Sequence, residues 1–113
     1  MATARFVHDG NSIDHTPGSA VTAGNVVVQG ELVGVAKLDI AASALGALAV
    51  TGVFDFPKAT GAGSAITAGA NCYWDVAEGV AKTDSETGAN KLIGKSIKAA
   101  VDADATVRIR LNQ

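Results

Sequence analysis

The sequence predicts a mainly β protein: one small domain with a β-barrel or sandwich-like fold, an extended N-terminal arm and at most one or two short helices. Apolar residues come in short runs of Val, Ile and Thr separated by glycine, which is typical of strands joined by turns. Two segments alternate apolar and polar side chains with a period of two. The 113 residues suit a single domain, because two independent cores would each be too small to fold unaided.

The first seventeen residues show neither the helical nor the strand period, and they mix charged side chains and histidines with glycine and proline. They predict an extended arm over residues 1–17, followed by a single β-rich domain over residues 18–113. The first strands of that domain are predicted at residues 24–30 and 31–36, where valine-rich runs are bounded by glycine.

A longer alternating segment predicts a half-buried strand over residues 48–56, which Pro57 ends because proline cannot donate to the ladder. Its apolar face consists of Leu48, Val50, Phe54 and Phe56.

The clearest strand signal lies at the C-terminal end, over residues 106–112. Val107, Ile109 and Leu111 are expected to point inward, and Arg108 and Arg110 outward.

Two segments remain open between a short helix and a strand, residues 39–48 and 91–101, because each is short and contains glycine. The sequence also contains an internal repeat: residues 18–24 recur 45 residues later as residues 63–69, with Val21 replaced by Ile66. Each copy predicts a glycine-flanked turn that enters a strand and points one β-branched side chain into the core.

Composition and charge argue against several classes of function. A net charge of −2 provides no basic field for nucleic acid. A single cysteine, Cys72, excludes a disulfide framework and a cysteine-rich metal site, so we expect folding in a reducing compartment, with Cys72 a small buried side chain. The apolar, uncharged stretch over residues 40–54 is shorter than a membrane span, and no cofactor is predicted.

Two chemical motifs have simpler structural interpretations. Residues 89–96 match a phosphate-binding loop except that Ala89 replaces its first glycine, and a polar turn followed by a strand or short helix explains them without a nucleotide. His8, Asp14 and His15, near Asp9 and Ser12, are residue types of a hydrolase or metal site. They fall within the predicted arm, whereas catalysis requires rigidly held groups.

Charge and aromatic side chains are distributed unevenly. Residues 1–90 carry four basic and nine acidic groups, whereas residues 91–113 carry five basic and two acidic groups. Tyr73 and Trp74 are adjacent, so on a strand one of them can enter the core while the other faces a partner. An acidic body with a basic end suits association between molecules, although solvated charge explains the same pattern.

Five segments of the sequence form a recognisable set: NSIDHT at 11–16, GSAVxAGNVV at 18–27, GVAxxDI at 34–40, GALAVxGVFDFPK at 46–58 and AITAGAxxYWD at 65–75. With these segments the chain resembles a family of small tailed-phage and prophage proteins described as capsid cement, or decoration, proteins. The resemblance is strongest from Asn11 to Asp75 and looser towards Gln113.

The resemblance implies a structural protein of the virion, made in the bacterial cytoplasm, that binds the outside of the head. Its expected partners are the major capsid protein and two further copies of itself, in a trimer at local threefold positions that stabilises the expanded head. Membrane and nucleic acid are not expected partners. The site residues predicted on this basis are Arg5 and Phe6 for the capsid, and Trp74, Arg108 and Arg110 for the oligomer interface or the capsid-facing side.

Two alternative functions stay open. Another phage structural component, such as a head-tail connector or tail-tube subunit, would share the β-rich composition but assemble into larger rings. A small hydrolase built on His8, Asp14 and His15 is the remote alternative.

Overall fold

The protein is mainly β, as predicted, in a computed structural model that describes residues 3–113. The described residues form two antiparallel sheets, which do not close into a barrel, and one 3₁₀ turn at Glu86–Gly88. The strands are β1 Ser12–His15, β2 Val26–Gln29, β3 Leu32–Ala36, β4 Gly46–Ala49, β5 Gly52–Pro57, β6 Asn71–Asp75, β7 Val80–Lys82, β8 Lys91–Ser96 and β9 Thr106–Leu111. No helix within residues 3–113 has the length and apolar character needed to cross a membrane.

The first sheet contains β1 to β4 in the spatial order β1-β4-β3-β2. The two valine-rich runs predicted as strands form β2 and β3, which pair from Val26 opposite Val35 to Gln29 opposite Leu32. Gly30 has a positive φ of 62° in the turn between them, a conformation typical of tight hairpins. The predicted arm includes β1, which pairs with β4, while its first two residues lie outside the described range.

The second sheet has the order β5-β9-β8-β6-β7. Its interior strand β9 confirms the prediction for the C-terminal segment: Val107, Ile109 and Leu111 are buried, and Arg108 and Arg110 are exposed. The two segments left open between helix and strand contribute strands, since residues 39–48 include the start of β4 and residues 91–101 include β8.

The single strand predicted over residues 48–56 is wrong, because the chain changes sheets within it. β4 ends at Ala49 and belongs to the first sheet, whereas β5 begins at Gly52 and belongs to the second. Gly52 takes a φ of 127°, which residues with a side chain rarely adopt, and this permits the change of direction. The alternation of apolar residues continues on both sides of the bend, so the pattern alone hides the break.

Two apolar clusters form the core. The larger joins the sheets and buries Val33 and Val35 of the first with Phe56, Trp74 and other side chains of the second. The Phe56 ring lies 6.1 Å from that of Trp74, measured between centroids. The smaller cluster, Ala36, Ile40 and Leu48, lies on the other side of the first sheet, where Ile13, Val21 and Val27 also pack.

The internal repeat extends far beyond the seven residues seen in the sequence. Val21 exchanges two backbone hydrogen bonds with Ile40, and Ile66 exchanges two with Ala100. Both β-branched side chains pack against a core cluster, as predicted. Without β7, the second sheet has the order β5-β9-β8-β6, which matches β1-β4-β3-β2 strand for strand. The protein therefore contains two similar units, here called the first unit, residues 12–49, and the second unit, residues 52–111.

Candidate interaction surfaces

The N-terminal segment offers one exposed surface. Residues 3–9 have no regular secondary structure and are exposed, and they lead into β1 at the edge of the first sheet. The predicted capsid-contact residues Arg5 and Phe6 lie here, with 79% of Phe6 and 74% of its neighbour Val7 accessible to solvent. Two adjacent exposed apolar side chains, in a segment that leads into an edge strand, are suited to contact with another protein chain.

The side of the second sheet that faces away from the core is a second surface, here called the outer face. Strand pairing aligns its side chains in rows, because directly opposite residues point to the same side. The outer face consists of Val53 and Asp55 on β5, Arg108 and Arg110 on β9, Lys95 on β8 and Asn71 on β6, all of them exposed.

The two arginines predicted for an interface share this outer face, but they differ in their partners. Arg108 donates one hydrogen bond from Nε to Asp55 Oδ1 at 2.9 Å and another from Nη2 to Asp55 Oδ2 at 3.2 Å, so the ion pair is bidentate. The hydrogen bond from Arg108 lowers the pKa of the Asp55 carboxyl, and the Asp55 carboxylate in turn raises the pKa of the Arg108 guanidinium. Among the described residues no ion pair involves Arg110 or its cross-strand neighbour Lys95.

Trp74, the third residue predicted for an interface, has little surface to offer a partner. It is 8% exposed and packs in the larger core cluster. Tyr73, adjacent on β6, is half-buried. The sequence predicts that these two aromatic residues face opposite ways but does not reveal which of them enters the core.

A cluster of three carboxylates lies near β7, on Asp75, Glu78 and Glu86, with one oxygen of each within 4.8 Å of the others. The Lys82 ammonium already supplies positive charge there: its Nζ lies 3.1 Å from Asp75 Oδ2 and 3.5 Å from Glu86 Oε2, and it also contacts Glu78. The backbone N–H of Glu78 and the Lys82 ammonium lower the pKa of Asp75 to about 2. This arrangement ties β6, β7 and the 3₁₀ turn together as an internal ion cluster.

The remaining chemical candidates occupy places that suit structural roles. Cys72 is fully buried, as predicted, and burial raises the pKa of its thiol. Lys95 and Ser96, the end of the near match to a phosphate-binding loop, belong to strand β8, whereas that loop requires a helix after it.

The histidines of the hydrolase alternative do not gather around the neighbouring acids. His15 Nδ1 lies 3.3 Å from the Gln29 side-chain oxygen, and His8 Nδ1 lies 2.6 Å from the backbone oxygen of Asp9. Asp14 and His15 are consecutive on β1 and therefore point to opposite sides of the first sheet.

Sequence reasoning missed four members of the outer face: Val53, Asp55, Lys95 and Asn71. Val53 was assigned to the wrong continuous strand, and Lys95 lies in a segment left open between helix and strand. The signal that could have found Lys95 is a second part of the repeat, LVGVA at residues 32–36 and LIGKS at residues 92–96, which aligns Lys95 with Val35.

Comparison with known proteins identifies the family. A search of curated proteins and a search of solved structures each return no match. A family model described as phage cement protein matches residues 7–111, which include both units, the outer face and part of the exposed N-terminal segment. Because the match covers nearly the whole chain, the protein belongs to the phage cement protein family, whose role is structural and associated with the phage capsid.

Proposed function

We propose that this protein binds the outside of a phage head as a homotrimer at local threefold positions and stabilises the expanded shell. The observation that carries the proposal is the family match over residues 7–111. The partners are the major capsid protein and two further copies of the chain, and synthesis takes place in the bacterial cytoplasm before assembly on the virion surface.

The N-terminal segment is the first proposed contact with the capsid. β1 lies at an edge of the first sheet, and the exposed residues before it include Arg5 and Phe6. An extended segment beside a free edge can pair with a strand of another protein, with backbone hydrogen bonds for affinity and side chains such as Phe6 for specificity. The segment then becomes ordered on the capsid surface.

Multiple weak contacts supply the strength of binding. A trimer that engages several capsid subunits makes each later contact intramolecular, which raises the apparent affinity by about 100- to 10,000-fold. Arg108 and Arg110 belong to these contacts or to the trimer interface. Trp74 can contribute to these contacts only with the small part of its ring that is exposed, because most of the side chain packs in the core.

The copy number of this chain in the virion tests the proposal. Quantitative mass spectrometry of purified, DNA-filled particles should give a ratio near one copy of this chain for each copy of the major capsid protein. Cryo-electron microscopy of the same particles should then show density for three chains around each local threefold axis.

Other ratios would contradict the proposal in distinguishable ways. A ratio of a few per cent would favour a connector or tail component, because such parts occur once per particle as small rings. Absence of the chain from filled particles would exclude a shell role and return attention to the hydrolase alternative. Alanine substitutions at His8 and His15 would then be expected to abolish activity.

A further inference from the structure

Equivalent rows of side chains cross the two sheets. In the first sheet strand pairing aligns Ser12, Ala49, Val35 and Val26 in one row. In the second sheet the corresponding row is Val53, Arg110, Lys95 and Asn71. The correspondence is fixed by matching hydrogen bonds: the N–H of Gly24 donates to Ala36 O at 2.6 Å, and that of Gly69 donates to Ser96 O at 2.8 Å.

The two rows differ in burial as well as in chemistry. Val35 is 6% exposed and Ala49 5% exposed, and Val35 packs in the core cluster that joins the sheets. At the same two positions of the second sheet, Lys95 and Arg110 are exposed. One unit therefore covers this face with protein, whereas the other leaves it open and places positive charge at its centre.

The positive charge of Lys95 and Arg110 is not compensated by the residues that the structure describes. Lys95 and Arg110 are directly opposite on adjacent strands, where Cβ atoms lie about 4.5–5.5 Å apart and like charges destabilise the pair. Asp55, the carboxylate of the outer face, is already bound by Arg108. Across residues 3–113 no carboxylate lies within ion-pair distance of Lys95 or Arg110.

We propose that the outer face is the surface on which this protein receives a carboxylate-bearing surface of the capsid, with Lys95 and Arg110 as the central cations. The inference rests on the proposed function and names the face and the chemistry of the partner. A carboxylate placed between the two cations accepts charge-assisted hydrogen bonds from both. Val53, 53% exposed beside Arg110, adds an apolar contact at the same place.

Charge also argues against a symmetric contact between two copies through this face. A twofold interface would bring the same patch of each copy together and so place Lys95 and Arg110 against their own counterparts. Repulsion between like charges disfavours that arrangement. A threefold interface joins two different patches, so this repulsion does not apply to it, and sedimentation of the free chain decides between that contact and an acidic surface of the capsid protein.

The test measures binding to expanded heads purified from the encoding phage after deletion of the gene for this chain. Wild-type chain is titrated onto these heads by co-sedimentation at several salt concentrations, beside Lys95→Glu, Arg110→Glu and the double variant. We expect the double variant to bind at least about tenfold more weakly, with most of the salt dependence lost. Lys37→Glu is the matched control for each single variant, with the same charge change at an exposed lysine after β3, and should bind like wild type.

A second variant separates charge from fold. Lys95→Arg combined with Arg110→Lys keeps both cations and should retain wild-type binding, and circular dichroism should show that all variants unfold at similar temperatures. If wild-type chain fails to bind the heads, the proposed function itself fails. Should wild type and the double glutamate variant bind equally, the function stands and the outer face is not the contact.

Sedimentation of the free chain tests whether the outer face instead joins copies of this protein. If the double variant sediments as a smaller species than wild type, the outer face serves contact between copies and the assignment to the capsid is overturned. If the free species are unchanged while binding to heads is lost, the assignment holds.

Discussion

The first and second units share a strand order and a turn motif, yet they use one face of the sheet in opposite ways. In the first unit that face carries Val26, Val35 and Ala49 and is covered by the body of the protein. In the second it carries charge and is exposed to solvent. The comparison separates two requirements: the shared backbone fixes the fold, and a few outward positions decide whether a face becomes core or contact surface.

The second unit also carries an addition that the first unit lacks. Strand β7 lies beside β6 at the edge of the second sheet, and the ion cluster around Lys82 holds it there. Most of the larger core cluster comes from the second unit, including Phe56, Trp74 and Ile109. We therefore expect substitutions inside the second unit to affect stability most, and substitutions on its outside to affect binding.

The largest expected effect comes from a pair of equivalent glycines. A Cβ at Gly94 would lie 2.0 Å from the backbone oxygen of Arg110, whereas at Gly34 it would meet the side chain of Leu48 at 2.9 Å. Relief of so short a contact would need a large shift of backbone in the middle of a sheet, so Gly94→Ala should lower the free energy of unfolding by more than about 4 kcal/mol, enough to prevent folding.

Gly34→Ala should be milder, with a loss of about 1–3 kcal/mol, because the Leu48 side chain and its strand can shift by a few tenths of an ångström. Urea denaturation followed by circular dichroism measures both variants. Equal losses would contradict this difference and would show that the strands pack equally closely at the two positions.

A reciprocal exchange tests the difference between the two rows. Val35→Lys places an ammonium group in the core without a partner and should destabilise by about 3–5 kcal/mol. Lys95→Val at the equivalent exposed position should change stability by no more than about 0.5 kcal/mol.

The same denaturation series compares the two members of the exchange. A large loss from Lys95→Val would mean that the outer face has a structural role within the chain. That result would weaken the assignment of this face to a partner.

The sequence predicts the repeat and several strands of the two units. It does not predict which sheet each strand joins, for physical reasons. The repeat at residues 18–24 and 63–69 predicted two similar turns, and the alternation around Ile109 predicted a strand with outward arginines. Alternation reports which residues share a side of a strand. It does not report which sheet the strand joins, so the change of sheets at Gly52 was missed.

The sites were harder to predict than the strands. Burial of Trp74 depends on Phe56 from another strand, and the cation pair of the outer face depends on the pairing of β8 with β9. Contacts between residues far apart in sequence decide both features. The role of the N-terminal segment depends in addition on a partner outside the chain.

The smallest expected effect concerns the pH dependence of stability. It arises from the ion cluster beside β7, the strand of the second unit that has no counterpart in the first. The pKa of Asp75 falls from 3.8 to about 2 on folding, because the N–H of Glu78 and the Lys82 ammonium favour its charged form. A lowered folded-state pKa contributes stability above about pH 4, and the contribution is lost as the pH falls towards 2. Asp75→Asn should therefore lower the melting temperature at pH 6 and have much less effect near pH 2.

Asp14→Asn, at an exposed carboxylate of β1 in the first unit, is the matched control and should leave the melting temperature almost unchanged at pH 6. Thermal unfolding of the three proteins between pH 2 and pH 6 measures the difference. If Asp75→Asn lowers the melting temperature equally at both ends of that range, the loss comes from packing or hydrogen bonding and not from the charge. The negative charge of Asp75 would then have no part in attaching β7, and packing and hydrogen bonds would hold this added strand at the edge of the second sheet.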